Sequence, residues 1–240
     1  MDIPPIYGFN ECSEMGNDIF APSVFVGGCN LRCPYCMNSK LIQPKDAPQV
    51  DVNTIIDYIL KNNREWVVIS GGEPTCMRLQ LLVNLCNMFK GFGCKVGLST
   101  NGTNADDFNA ILPYVNYVAL DIKSNKNNVY YDIAQIDWSS SPFIDVIRSQ
   151  SMLRDTKRDR DDFDYEIRTT LYPKYIDKKA IKGIGSILRS DEKWVLQQFR
   201  HAKGMYAKEA YDVEPYSEDK LKELLKIAQK FSSEVQLRYV

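Results

Sequence analysis

Cys29, Cys33 and Cys36 stand at C-x3-C-x2-C spacing in Gly27-Gly28-Cys29-Asn30-Leu31-Arg32-Cys33-Pro34-Tyr35-Cys36. Thiolates this close in one loop can wrap a single metal centre. A [4Fe–4S] cubane normally takes four cysteines, so a local set of three leaves one iron without a protein ligand. Catalytic metals keep such an open position and structural metals do not. A zinc site with a distant fourth ligand is the other metal reading. His201, the one histidine, or Cys12, Cys76, Cys86 or Cys94 could supply that ligand. Zinc motifs, however, usually set out two separated pairs. An electron-transfer cluster is the third reading.

Five more groups are suited to binding. Ser70-Gly71-Gly72-Glu73-Pro74 allows a backbone to approach a ligand closely, because glycine has no side chain in the way. Ser99-Thr100-Asn101-Gly102 reads as a turn and helix cap, and Asp121-Ile122-Lys123 as a charged strand end. Arg168 lies inside the apolar run around Ile167-Arg168-Thr169-Thr170, where a charge is costly unless it is paired. It suits a bidentate carboxylate partner, either a ligand or a salt bridge. Leu196-Gln197-Gln198-Phe199-Arg200 closes the series.

The elements that must carry these residues follow from periodicity. Short β-branched runs at residues 23–26, 66–69, 95–98, 117–120, 165–171 and 194–199 read as strands, with a last one at Val235, Leu237 and Tyr239. Continuous apolar runs such as Trp66-Val67-Val68-Ile69 suit strands buried on both faces. Between them, 79–89, 105–112, 143–153 and 180–188 read as helices. One more helix, capped by Asn53, carries Ile55, Ile56, Ile59 and Leu60. The final helix starts at Ser217, with Glu218 and Asp219 in its first turn and Leu221, Leu224, Leu225, Ala228 and Phe231 on one face. The charge-dense stretch 154–164 reads as a solvated loop or helix end, with partner docking as the lesser reading. Strands alternating with helices imply parallel βα units. The expected fold is α/β, a partial (β/α)6 TIM-like barrel whose loops at the strand C-termini carry function.

The 240 residues suit one domain spanning 1–240, with a core at about 22–200 and a C-terminal helix and strand at 217–240. Net charge is -1 and charges of both signs are interspersed, so no nucleic-acid partner is expected. No apolar run approaches the ~20 residues of a membrane span. The start, Met1-Asp2-Ile3-Pro4-Pro5, is unlike a secretory signal. The 7 cysteines are odd in number and sparse, which fits a reducing compartment. A soluble cytoplasmic protein is expected.

The cysteine motif, with aromatic Tyr35 before its last cysteine, resembles the radical S-adenosylmethionine (SAM) superfamily. Gly71-Gly72-Glu73-Pro74 resembles the superfamily stretch that binds the SAM amino group. The resemblance extends from about residue 23 to 200. It implies a [4Fe–4S] cluster on Cys29, Cys33 and Cys36 and SAM as second cofactor. Reductive cleavage of SAM then gives methionine and a 5′-deoxyadenosyl radical. It places Tyr35 beside the adenine and Gly71, Gly72 and Glu73 on the methionine moiety. Thr100-Asn101-Gly102 and Asp121-x-Lys123 resemble the glycyl radical enzyme activating branch, in which Arg168 contacts the SAM carboxylate. Gln198 and Arg200, within Leu-Gln-Gln-Phe-Arg, resemble activators of anaerobic ribonucleoside-triphosphate reductase.

The implied partners are a glycyl radical enzyme and a flavodoxin- or ferredoxin-type electron donor. Some positions depart from the branch. Ser99 replaces an aspartate that contributes to a cation site near SAM, Met37 replaces a frequent histidine, and Glu14-Met15-Gly16-Asn17-Asp18 lacks a common Asp-x-Pro-Gly-like turn. The alternatives are a small-molecule radical SAM enzyme such as a 7-carboxy-7-deazaguanine synthase, or a non-catalytic iron–sulfur or zinc protein.

Overall fold

In the computed structural model, one sheet of 8 strands keeps the order of the chain from edge to edge. The structure describes residues 2–16, 19–45, 47–134 and 141–239, so Asn17 and Asp18 of the irregular turn lie outside it. The strands are β1 (Ile6–Met15), β2 (Ile19–Val26), β3 (Trp66–Gly71), β4 (Lys95–Thr100), β5 (Tyr117–Asp121), β6 (Asp164–Leu171), β7 (Trp194–Gln198) and β8 (Val235–Arg238). β1 pairs antiparallel with β2. Every later pairing is parallel. The helices that make the crossovers are α1 (Val52–Lys61), α2 (Leu79–Gly91), α3 (Ala105–Ile111), α4 (Asn127–Ala134), α5 (Pro142–Asp159), α6 (Lys178–Gly185) and α7 (Glu218–Ala228). This is the expected partial barrel with one strand added in front, so residues 23–26 belong to the second strand and not the first.

Alternation along each strand sorts side chains between two compartments. On β6, Tyr165, Ile167 and Leu171 join the main core, together with Val118 and Leu120 of β5 and Ile181 and Ile184 of α6. Glu166, Arg168 and Thr170 alternate with them and face the other way, into the barrel. The sheet curls far enough for its edges to meet. Arg238 on β8 donates to Glu14 on β1 at 3.0 Å, and the Gly16 amide donates to Glu166 on β6 at 3.0 Å.

Several boundaries differ from the sequence reading. Asp51, not Asn53, caps α1: its carboxylate accepts the Asn53 amide at 3.0 Å. α5 runs on through the charged stretch to Asp159, because Arg154 is anchored on buried Glu192 by hydrogen bonds of 3.0 and 2.7 Å. The last strand stops at Arg238, with Tyr239 exposed beyond it. Among the described residues no helix is long and apolar enough to cross a membrane.

Candidate active site

Each cysteine of the motif sits in a loop held by its backbone. The loop leaves the C-terminal end of β2, where Gly28 N–H donates to Leu41 O (2.8 Å) and Cys29 N–H to Ile42 O (3.2 Å). Arg32 N–H donates to Ile133 O of α4 at 2.7 Å. The Arg32 guanidinium reaches back to the Cys29 carbonyl at 2.7 Å. Cys33 is buried, while Cys29 and Cys36 are half-buried. Burial, with Glu73 and Cys33 nearby, pushes the Cys29 thiol up to about 12. Burial likewise pushes Cys33 up to about 11, against the pull of Lys123. Cys36 is raised as well, chiefly by burial.

The Gly-Gly-Glu-Pro turn at the end of β3 is packed against this loop. Gly72 N–H donates to Val26 O (2.9 Å) and Glu73 N–H to Gly28 O (2.6 Å). A Cβ on Gly72 would come within 2.1 Å of the Gly28 carbonyl oxygen. Gly71, at φ +116°, would place one 2.4 Å from Val26 O. Only glycine fits at these two positions. Glu73 is 1 % exposed, and its carboxylate faces the end of β4. It accepts from Thr100 Oγ1 (2.6 Å), the Asn101 amide (2.6 Å), the Thr75 amide (3.1 Å) and Thr75 Oγ1 (2.8 Å). Burial still raises its pKa, outweighing the bonds from Thr100, Asn101 and Thr75.

Asn101 completes a ring. Its Nδ2 donates to Asn30 Oδ1 (3.0 Å), and its Oδ1 accepts from Thr103 N (2.9 Å) and Thr103 Oγ1 (2.6 Å). Asn30 Nδ2 donates to Thr103 Oγ1 at 2.8 Å. The loops after β2, β3 and β4 are thus one hydrogen-bonded unit. The Asn101 carboxamide is spent largely on that unit.

Across the barrel, Asp121 at the end of β5 accepts from Arg168 Nε at 2.8 Å and from Lys123 Nζ at 3.3 Å. Burial opposes ionisation of Asp121, but Arg168 and Lys123 more than offset it, so its pKa is lowered. Burial also opposes the Lys123 charge, yet Asp121, with Tyr35 and Cys33, raises its pKa well above the ordinary lysine value. Lys123 is further placed by its amide, which donates to the Tyr130 hydroxyl at 3.0 Å. Arg168 is therefore in a salt bridge and at the site together; the two readings of it are compatible.

The three cysteines, the glycine turn, Glu73 and the Asp121–Lys123–Arg168 group line one cavity of about 240 Å³. Its walls include Cys29, Cys33, Tyr35, Cys36, Gly71, Gly72, Glu73, Ser99, Asn101, Asp121, Lys123, Arg168, Gln198 and Arg200. Every site residue singled out in the sequence is there. Cys12, Cys76, Cys86, Cys94 and His201 are not among its lining residues. Among the described residues no three His, Cys, Asp or Glu side chains surround a point as one ion would need. Three thiols of one loop lining one cavity are a donor set in which a cubane offers each thiolate its own iron and keeps one iron open. The donor set fits a cluster.

The radical SAM superfamily model matches residues 23–149, which reach from β2 into α5 and carry the cysteine motif. The chain belongs to the radical SAM superfamily. Membership implies a [4Fe–4S] cluster and SAM, for which the cysteine loop and the cavity have the required donors. A Methanocaldococcus jannaschii protein provisionally described as a glycyl-radical enzyme activating enzyme is 28% identical over 227 residues, covering 90% of this chain and 88% of its own. The 7-carboxy-7-deazaguanine synthase of Hyperthermus butylicus is 37% identical over 82 residues, covering 33% and 34%. Among solved structures, a domain of pyruvate-formate lyase-activating enzyme from Bacteroides vulgatus aligns at TM-score 0.55 and 17% identity, covering 72% of this chain and 98% of that one. That likeness is one of fold.

Some residues of this radical SAM site escaped the sequence reading. Asn30, Thr75 and Thr103 hold the loops together, and only their polar side chains beside the motifs hinted at it. Tyr172 stacks near Tyr35 with ring centroids 4.8 Å apart, and Phe199 packs on Tyr172 at 5.0 Å. Tyr172 lies past the end of β6, and nothing in its local sequence pointed to the site.

Proposed function

We propose that this radical SAM enzyme generates a glycyl radical on a partner enzyme of the anaerobic ribonucleoside-triphosphate reductase type. One observation carries the reading. The relative described as an activating enzyme matches over 90% of the chain, whereas the deazaguanine synthase match ends at 33%. The cavity is consistent with it, since Gln198 and Arg200 of the activator-like Leu-Gln-Gln-Phe-Arg stretch stand on its wall.

In this proposal Cys29, Cys33 and Cys36 hold the cluster. When bound, the cluster supplies the electron that splits the SAM sulfonium into methionine and a 5′-deoxyadenosyl radical. The chain's own residues bind and orient. Arg168 and Lys123 bring two cations against one carboxylate, Asp121, and the surplus positive charge suits the carboxylate of methionine. Glu73 Oε2 accepts one bond, from the Asn101 amide, and keeps a lone pair for an ammonium group. Tyr35 offers an aromatic face, backed by Tyr172, for the adenine. The buried walls keep water from the reacting carbon. A backbone glycine must come within contact distance of that carbon, so partner positioning decides the outcome. The electron donor is proposed to be a flavodoxin- or ferredoxin-type protein, and the chain to act in the cytoplasm as a single domain.

The test is anaerobic reconstitution, followed by incubation with SAM, reductant and the anaerobic ribonucleoside-triphosphate reductase of the source organism. A glycyl-radical doublet in the electron paramagnetic resonance (EPR) spectrum of the reductase is expected. SAM cleavage coupled to turnover of a small molecule, with no doublet, would reverse the assignment.

A further inference from the structure

Arg32 stands between two cysteines of the motif, and its side chain ends on neutral partners. Nη1 donates to the carbonyl oxygens of Cys29 (2.7 Å) and Leu31 (3.0 Å). Other arginines that reach inward end differently. Arg154 meets Glu192 at 2.7 Å, Arg168 meets Asp121 at 2.8 Å and Arg238 meets Glu166 at 3.0 Å. Among the described residues Arg32 has no such carboxylate. A half-buried guanidinium thus stands uncompensated at the root of the cysteine loop.

The same side chain closes a small turn. Between the two carbonyls it grips lies the Leu31 N–H, which donates to Cys29 Sγ at 3.4 Å. Leu31 is 2 % exposed, so the turn is anchored from inside as well. A [4Fe–4S] core on three thiolates is an anion, and reduction makes it more negative. Its potential is set by net charge, by hydrogen bonds to the sulfurs and by exposure. Arg32 bears on the first two. Of the other charges facing Cys29, Lys123 is engaged by Asp121 at 3.3 Å, and Glu73 has the sign that opposes reduction.

We infer that Arg32 is a positioning residue for the cluster: it holds the Leu31 amide on the Cys29 sulfur and supplies the countercharge that raises the reduction potential. In the step it assists, a flavodoxin- or ferredoxin-type donor is oxidised by one electron and the cluster is reduced by one; no proton moves. The inference needs the cluster that superfamily membership implies. It needs no particular partner enzyme, so it stands or falls separately from the glycyl-radical reading.

Arg32→Gln and Arg32→Lys test it, because the first keeps an amide donor without the charge and the second keeps the charge. Each protein is reconstituted anaerobically and its iron per chain is measured. The cluster is then titrated with dithionite, and the EPR signal of its reduced form is followed against potential. Iron content should match wild type in both. At the wild-type midpoint, the ratio of reduced to oxidised cluster should fall about tenfold in Arg32→Gln, equivalent to about 59 mV for one electron. Arg32→Lys should recover most of that loss. Lys40→Gln removes an exposed, water-screened charge from the same loop, and its ratio should stay within about twofold of wild type. A wild-type midpoint in fully loaded Arg32→Gln overturns the inference. So does an equal fall in Arg32→Lys, where the charge is kept, or in Lys40→Gln. Failure of Arg32→Gln to take up iron overturns it as well, because Arg32 is then only a prop for the loop.

Discussion

Asp121 is a carboxylate whose charge state is set by two neighbours. Arg168 Nε at 2.8 Å and Lys123 Nζ at 3.3 Å hold it ionised. Its folded pKa is therefore depressed. A depressed carboxyl contributes stability that is complete above the unfolded value of about 3.9 and is lost as pH falls through the folded value. Asp121→Asn should thus destabilise the cluster-free chain most near neutral pH. The penalty, measured by urea unfolding, should shrink at acid pH, below about 4. An unchanged penalty at acid pH would mean that the triad is not what Asp121 contributes. At this scale much was legible in the sequence. The cysteines, Glu73, Asp121 and Arg168 announced themselves by a thiol or a charge, and Gly71 and Gly72 by standing side by side at the end of a strand. Asn30 and Thr103 did not, because a polar residue in a loop needs no special explanation until its partner is known.

The Gly-Gly-Glu-Pro turn shows what an element demands of its sequence. At Gly72 the obstacle is the Gly28 carbonyl, a backbone atom directly before Cys29, so it cannot rotate aside as a side chain would. Gly72→Ala should cost on the order of 1–3 kcal/mol of stability. It should also lower the iron bound per chain on reconstitution, because relief of the clash displaces Cys29. Full iron content with unchanged unfolding would show that the two turns are not in hard contact.

The elements differed in how plainly they could be read. The buried parallel strands are apolar runs and were read to within two residues at each end, except that β2 begins at Ile19 and not at Ser23. β1 was not seen: Ile-Tyr-Gly-Phe-Asn-Glu-Cys-Ser-Glu-Met is an edge strand with its middle exposed, and it lacks an apolar run. α4 was missed because Asn-Asn-Val-Tyr-Tyr-Asp-Ile-Ala has weak helix formers. Tertiary contacts support it instead, through the Tyr130 hydroxyl on Lys123 and Ile133 O on Arg32. The charged end of α5 read as a solvated loop or helix end; the helix end is what forms, and nothing local revealed the Glu192 that anchors Arg154.

The whole molecule is closed at the end opposite the site by a buried ionic cluster. Glu166 is 0 % exposed and lies in the barrel one alternation below Arg168. It accepts from Arg238 Nη1 (3.0 Å) and Nη2 (3.2 Å), the Gly16 amide (3.0 Å) and the Tyr117 hydroxyl (3.3 Å). Arg238, from the last strand, also holds Glu14 and the Gly16 carbonyl at the tip of the first hairpin. Residues more than 200 positions apart thereby join the two edges of the sheet. A fully desolvated ion pair contributes little net stability over an apolar pair, but removing one member strands the other. Arg238→Met should therefore cost about 3–5 kcal/mol by leaving Glu166 buried and unpaired. Adding Glu166→Gln should recover part of that loss, because a neutral amide is less costly to bury. The double-mutant coupling energy from urea unfolding should exceed about 1 kcal/mol. A coupling near zero would mean that water or another cation reaches Glu166 in the single variant, and that the barrel is held closed by its apolar contacts, Met15 against Val68 and Tyr117, without help from the ions.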